Sequence, residues 1–158
     1  VAAGMSKDIQ LVVPLWGSDQ DIIRAVGDPM LGLFSVGHWS IDMDNAANKR
    51  FVGEFEKGYK RLPTGYAASG YDTAMLLDSA VRKVKGKIED KDALRAALRA
   101  ADFKSVRGEF KFNRNQFPVQ NYYLQLVGKG GDGRLVHKTI GTVLTARGDA
   151  YVQDCKMK

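Results

Sequence analysis

Cysteine is almost absent: in 158 residues only Cys155 carries a thiol, which excludes a thiolate zinc site and any disulfide closed within the chain. Two readings of that residue stand, one half of a bridge to another segment or an inert free thiol. Histidine is nearly as scarce. His38 and His137 are the only two, they lie far apart, and neither accompanies a Gly-x-Ser-x-Gly elbow or a Ser-x-x-Lys pair, so hydrolytic chemistry has no support. His137 falls in an edge or hairpin strand pattern and is expected at the surface. No apolar run approaches the ~20 residues that span a bilayer. At Val1 there is no basic and then apolar leader, so a targeting segment is expected outside this sequence.

Charge of one sign is not concentrated anywhere. Lys and Arg number 24 against 18 acids, a formal charge of +6, but Lys83 and Lys85 are followed by Glu89, Asp90 and Asp92. That is a mixed solvated surface, and no nucleic-acid partner is expected. Two apparent motifs fail on inspection. Gly128 to Gly133 lacks the Gly-Lys-Ser/Thr ending of a phosphate loop and sits between strand patterns, so a hairpin turn is expected. Asp42, Asp44, Asn45 and Asn48 resemble a calcium loop, yet Ala47 stands where glycine is required and Gly53 where the closing glutamate belongs,. No metal and no cofactor is expected.

What is present is an alternation of strand and helix patterns. Ile9 to Leu15 is a nearly continuous apolar run, suited to a strand covered on both faces in a parallel sheet, with Pro14 marking its end. Gly17-Ser18-Asp19 offers a turn and an N-cap for a helix to about Val26. Leu31 to Val36 reads as a second strand, followed by the irregular Gly37-His38-Trp39-Ser40. Asp44 or Asn45 caps a helix with Phe51, Val52, Phe55 and Tyr59 on one face. A long helix from about Tyr66 to Val84 places Ala67, Tyr71, Ala74, Leu77, Val81 and Val84 on one stripe. Asp90 introduces a third helix buried through Leu94, Ala97, Leu98 and Ala101. From Gly108 the period becomes two, with strands at Glu109 to Phe112, Val119 to Val127 and Arg134 to Thr145.

In an open α/β sheet, ligands gather outside the carboxyl ends of strands, where loops and helix N-termini meet. Trp16, Ser18 and Asp19 at one strand end, His38 and Trp39 after another, and Tyr66 and Tyr71 near a helix start satisfy that placement. They are the candidate ligand-binding residues. Core packing is the competing reading for Trp16, Trp39 and Tyr71.

The run Tyr66 to Leu77 (YAASGYDTAMLL), with Asn45 to Val52 (NAANKRFV) upstream and Val106 to Asn113 (VRGEFKFN) downstream, resembles the C-terminal part of the substrate-binding proteins of the branched-chain amino acid transporter family. These are the periplasmic, type I solute receptors of ABC importers. The resemblance implies an α/β, type I periplasmic-binding-protein fold of three-layer lobes, present here in part. It implies that residues 1–36 and 118–158 belong to one lobe and residues 37–117 to the other, with the chain crossing a hinge near His38. It also implies a ligand held between lobes, an inner-membrane permease as partner, a periplasmic location and no catalysis. In relatives that bind branched-chain amino acids an acidic residue pairs with the ligand ammonium, and no such acid can be assigned in the Trp16 turn. With Trp16, His38 and Trp39, the sequence looks most like the subset that takes up aromatic carboxylic acids of the benzoate or phenylpropanoid type. An amino-acid receptor, a sensory domain of the same fold and, more remotely, a small α/β enzyme are the alternatives. A partial pair of lobes would leave apolar faces uncovered, so self-association of this chain is a further expectation.

Overall fold

The computed structural model describes residues 9–157. The first strand, β1 (Val12–Pro14), is shorter than its apolar run, because after Pro14 the chain tightens into a 3-10 turn at Leu15–Gly17. Helix α1 (Gln20–Val26) starts from Asp19, whose side chain accepts from the Gln20 N–H. Strand β2 (Phe34–Gly37) pairs parallel with β1. Three helices follow: α2 (Ala46–Tyr59), capped by Asn45; α3 (Gly65–Lys83), capped by Thr64; and α4 (Lys91–Ala100), capped by Asp90. Each cap accepts a backbone N–H from the first turn, the role for which these short polar side chains are favoured. The chain then returns through β3 (Lys111–Phe112), β4 (Pro118–Lys129) and β5 (Leu135–Arg147).

The strands form one mixed sheet in the order β1-β2-β4-β3, with β5 paired to β4. Parallel β1 and β2 are joined through α1, while β2/β4 and β4/β5 are antiparallel. The glycine-rich Gly128 to Gly133 segment turns the β4–β5 hairpin, with Gly133 at φ 82; a side chain would be strained there.

Two apolar clusters form among the described residues. One is aliphatic, built from Ile23, Met30 and Val127 with Leu33 and Leu135 packed against them. The other is aromatic, built from Trp39, Phe51, Ala68 and Val106, with Phe55 and Tyr71 at its margin.

Three expectations are corrected. His137 is not at the surface: it is 5% exposed, because β5 lies against the turn before α1 and the ring is drawn into hydrogen bonds there. The buried stripe of α3 runs through Ala68, Asp72 and Ala80, not Ala74, Leu77 and Val81, which are exposed. The stripe is rotated because Asp72 is buried to receive the Ser105 hydroxyl and the Val106 N–H, a polar anchor that an apolar period cannot reveal. Finally, Glu109 and Phe110 lie outside β3; Phe110 packs instead edge-on to Phe103 and Phe112.

Candidate ligand-binding site

Two glycines allow three separate segments to converge. A Cβ at Gly37, the end of β2, would lie 2.8 Å from Leu15 Cβ, and one at Gly65, the start of α3, would lie 3.1 Å from Leu15 Cδ2 and 3.4 Å from the Trp16 ring. The 3-10 turn after β1 therefore rests directly against the end of β2 and the first turn of α3. Asp19 ties the same corner, since one carboxylate oxygen accepts from both the Gln20 and Gly65 N–H groups at 2.7 and 3.0 Å. One side chain thus serves the N-termini of two helices, where a negative charge is favoured.

This convergence brings three sequence-predicted rings together. Trp16 and Tyr66 stack at 4.5 Å with planes tilted by 37°, and Trp16 meets His38 at 5.6 Å. A fourth ring, Tyr122 of β4, stands edge-on to His38 at 6.4 Å. Sequence reasoning missed Tyr122 because its place follows from register: β2 and β4 pair Gly37 with Tyr123, so the next position along meets His38. Trp16 is 39% and Tyr66 64% exposed. An adjoining open pocket of about 380 Å³ is lined by Val12, Pro14, Trp16, Val36, His38 and Tyr122 among others. Its size falls within the range of small-molecule sites. A larger hollow of about 730 Å³ lies between the start of α2 and the β3 region, and there Phe103 and Phe110 pack edge-on against each other.

Trp39 and Tyr71 are not brought to this group. Trp39 is 2% exposed, edge-on to Phe51, and donates its indole N–H to Asn48 Oδ1 at 2.7 Å. Tyr71 packs on Phe51 at 4.8 Å. Of the residues resembling a calcium loop, Asn45 caps α2, Asn48 donates to the carbonyls of Ser40, Ile41 and Met43, and Asp42 accepts from the Thr139 N–H and hydroxyl.

Behind the rings runs a buried polar chain. His137 Nε2 lies 2.6 Å from the Ser18 carbonyl, so that nitrogen carries the proton and donates,. The Ser35 hydroxyl lies between His137 Nδ1 and Gln125 Oε1, and Gln125 donates to the Trp39 carbonyl at 2.7 Å. Ser18 therefore holds its turn through β5, and the chain links the Trp16 turn to the His38 connection. Burial lowers the pKa of His137, against the opposing effects of the Ser18 carbonyl, Asp19 and Asp42.

On the other flank, Arg107 and Asp72 form a buried pair at 3.3 Å. Burial lowers the Arg107 pKa and raises that of Asp72, each effect opposed by the partner's charge. Arg107 also donates to Gln120, which donates to the Tyr122 hydroxyl. The pair bears on His38: burial first, then the Arg107 charge, lower the imidazole pKa from 6.5 to about 4. His38 is therefore neutral near pH 7, and its Nε2 is buried without a hydrogen-bond partner among the described residues.

The arrangement is an exposed aromatic wall on a rigid corner, bounded by a neutral histidine and a buried cation, and comparison with known proteins gives it a context. Residues 2–132 match the periplasmic binding protein family, and the chain belongs to that family. A solute-binding protein of an ABC transporter from R. palustris, solved in complex with benzoate, superposes with a TM-score of 0.85 at 36% identity, covering 98% of this chain and 41% of that one. A second, from Rhodopseudomonas palustris BisB5 in complex with 3,4-dihydroxybenzoic acid, gives 0.81 at 30% identity over 92% of this chain and 40% of that one. Leu/Ile/Val-binding protein homolog 6 of Brucella abortus is 28% identical over 142 residues, 87% of this chain. The chain spans 36% of that curated relative's length. The fold is thus the α/β fold of type I periplasmic binding proteins, present in part.

Proposed function

We propose that the protein is the solute receptor of an ABC importer, that it works in the periplasm, and that it delivers a small aromatic carboxylic acid to an inner-membrane permease. The ligand binds between two lobes, one containing residues 1–36 and 118–158 and the other residues 37–117. The observation that carries this reading is the exposed Trp16–Tyr66 stack with His38 and Tyr122 beside it. Trp16 follows β1 while Tyr66 opens α3, so the stack joins the two proposed lobes. A flat ligand covers such rings by stacking and by removing their apolar area from water. Ser18 and Asp19 hold the turn, while Trp39 and Tyr71 support it from the core. Closure around the ligand is stabilised only by the ligand's greater affinity for the closed state, and that difference lets a permease distinguish loaded from empty receptor.

Mass spectrometry of ligand carried through purification of the full-length protein, followed by calorimetry with benzoate and leucine, tests the proposal. An aromatic acid in the first measurement and heat from benzoate in the second are expected. Tight leucine binding with no heat from an aromatic acid would sink it. An amino-acid receptor is the second reading, favoured by Asp19 Oδ2, which is buried without a hydrogen-bond partner among the described residues and is suited to accept from an ammonium group. The same titrations separate the two.

A further inference from the structure

Resting on the aromatic-acid reading, we propose that His38 selects among such ligands by hydrogen bonding an uncharged ring hydroxyl, so that the site prefers hydroxylated aromatic acids to the unsubstituted acid. The imidazole stands between the Trp16 ring at 5.6 Å and the Tyr122 ring at 6.4 Å, on the wall of the open pocket. Its Nε2 is sealed from solvent and meets no protein donor or acceptor among the described residues. A buried polar atom in that condition carries a desolvation penalty that a correctly placed ligand group relieves.

The chemistry of the imidazole narrows the partner. A neutral imidazole offers one donor and one acceptor, and a hydroxyl can complement either nitrogen by donating or accepting, whereas a carboxylate can only accept. Burial and Arg107 both keep His38 uncharged near neutral pH, so no ion pair forms there. The surrounding wall of Val12, Pro14, Leu15 and Val36 penalises a desolvated carboxylate far more than a hydroxyl. The ligand's negative charge therefore lies elsewhere in the site, and its ring substituent meets His38.

Calorimetry on the full-length protein with benzoate, 3-hydroxybenzoate and 4-hydroxybenzoate, using wild type, His38→Phe and His38→Gln, tests this at pH 7. Wild type should bind one hydroxybenzoate at least about tenfold tighter than benzoate, since a site that expects a hydroxyl leaves its partner unpaired without one. His38→Phe should bring the acids within about threefold of each other, and His38→Gln, which keeps a donor and an acceptor, should restore part of the preference. A preference that survives His38→Phe, a parallel loss for all three acids in a variant with an unchanged unfolding midpoint, or a wild type that favours benzoate would each overturn the proposal. A wild type that binds none of them overturns the receptor reading first, and this one with it.

Discussion

On the sheet side, Ile23, Met30 and Val127 make a small aliphatic core, whereas on the helical side Trp39 and Phe51 pack as rings around fully used polar groups, Asn48 and Asp72. The sheet side owes its cohesion to strand pairing and to α1 lying on β5. The helical side has irregular segments, Trp39 to Asn45 and Ser105 to Gly108, that no strand holds. Their backbone groups must find partners in side chains, because a buried unpaired carbonyl or N–H is costly. Asn48 and Asp72 are those partners, so polar residues act as the scaffold on one side and hydrophobic packing does so on the other. The candidate site lies where the two kinds of construction meet.

Removing a polar scaffold residue should break the helical side first. Asp72→Ala leaves Arg107 buried without its partner and should cost about 4 kcal/mol, the range for breaking a buried pair, in denaturant unfolding of the full-length protein. Hydrogen exchange should show protection lost in α2 and α3 before β4 and β5. Equal loss throughout would mean that the two sides do not differ in this way. Asn48→Ala orphans the Trp39 indole N–H and three carbonyls and should cost about 3 kcal/mol by the same assay.

Acid should act where the two sides meet. His38 has a folded pKa depressed to about 4 from 6.5, so the unfolded state binds the proton more readily. The stability this represents is complete above pH 6.5 and is lost as pH falls toward 4, on the order of 2 kcal/mol for a partly exposed ring. His137, also lowered, adds loss in the same direction. In His38→Phe the slope of stability between pH 6.5 and 4 should be shallower; an unchanged slope would contradict the assignment. Gly37→Ala introduces a Cβ into Leu15 and should cost about 2 kcal/mol while displacing Trp16, so affinity for an aromatic acid should fall along with stability.

The helices were legible in the sequence because their starts carry chemical signals: Asp19, Asn45 and Asp90 cap where short polar residues precede apolar periodicity,. The β4–β5 hairpin was legible for a similar reason, from its glycine-rich turn. The site was legible only in part. Trp16, His38 and Tyr66 were found as residues of strand ends and a helix start, but their assembly depends on Gly37 and Gly65 admitting Leu15, a contact between distant segments. Tyr122 depends on strand register, and the burial of Asp72 and His137 depends on partners 33 and 119 residues away. Local pattern does not encode those distances. Trp39 looked like Trp16 in the sequence, each a tryptophan in a connection after a strand; the difference comes from Asn48, which claims the Trp39 N–H and holds the ring inward.

That difference is the central claim, and calorimetry of aromatic-acid binding to full-length Trp16→Ala and Trp39→Phe tests it most directly. Trp16→Ala should fold normally and bind about 1–3 kcal/mol more weakly, as expected for loss of a stacking ring. Trp39→Phe should lose stability while binding, in the folded fraction, within about twofold of wild type, because its ring supports the core instead of the ligand. Unchanged binding in Trp16→Ala together with lost binding in a folded Trp39→Phe would contradict the account.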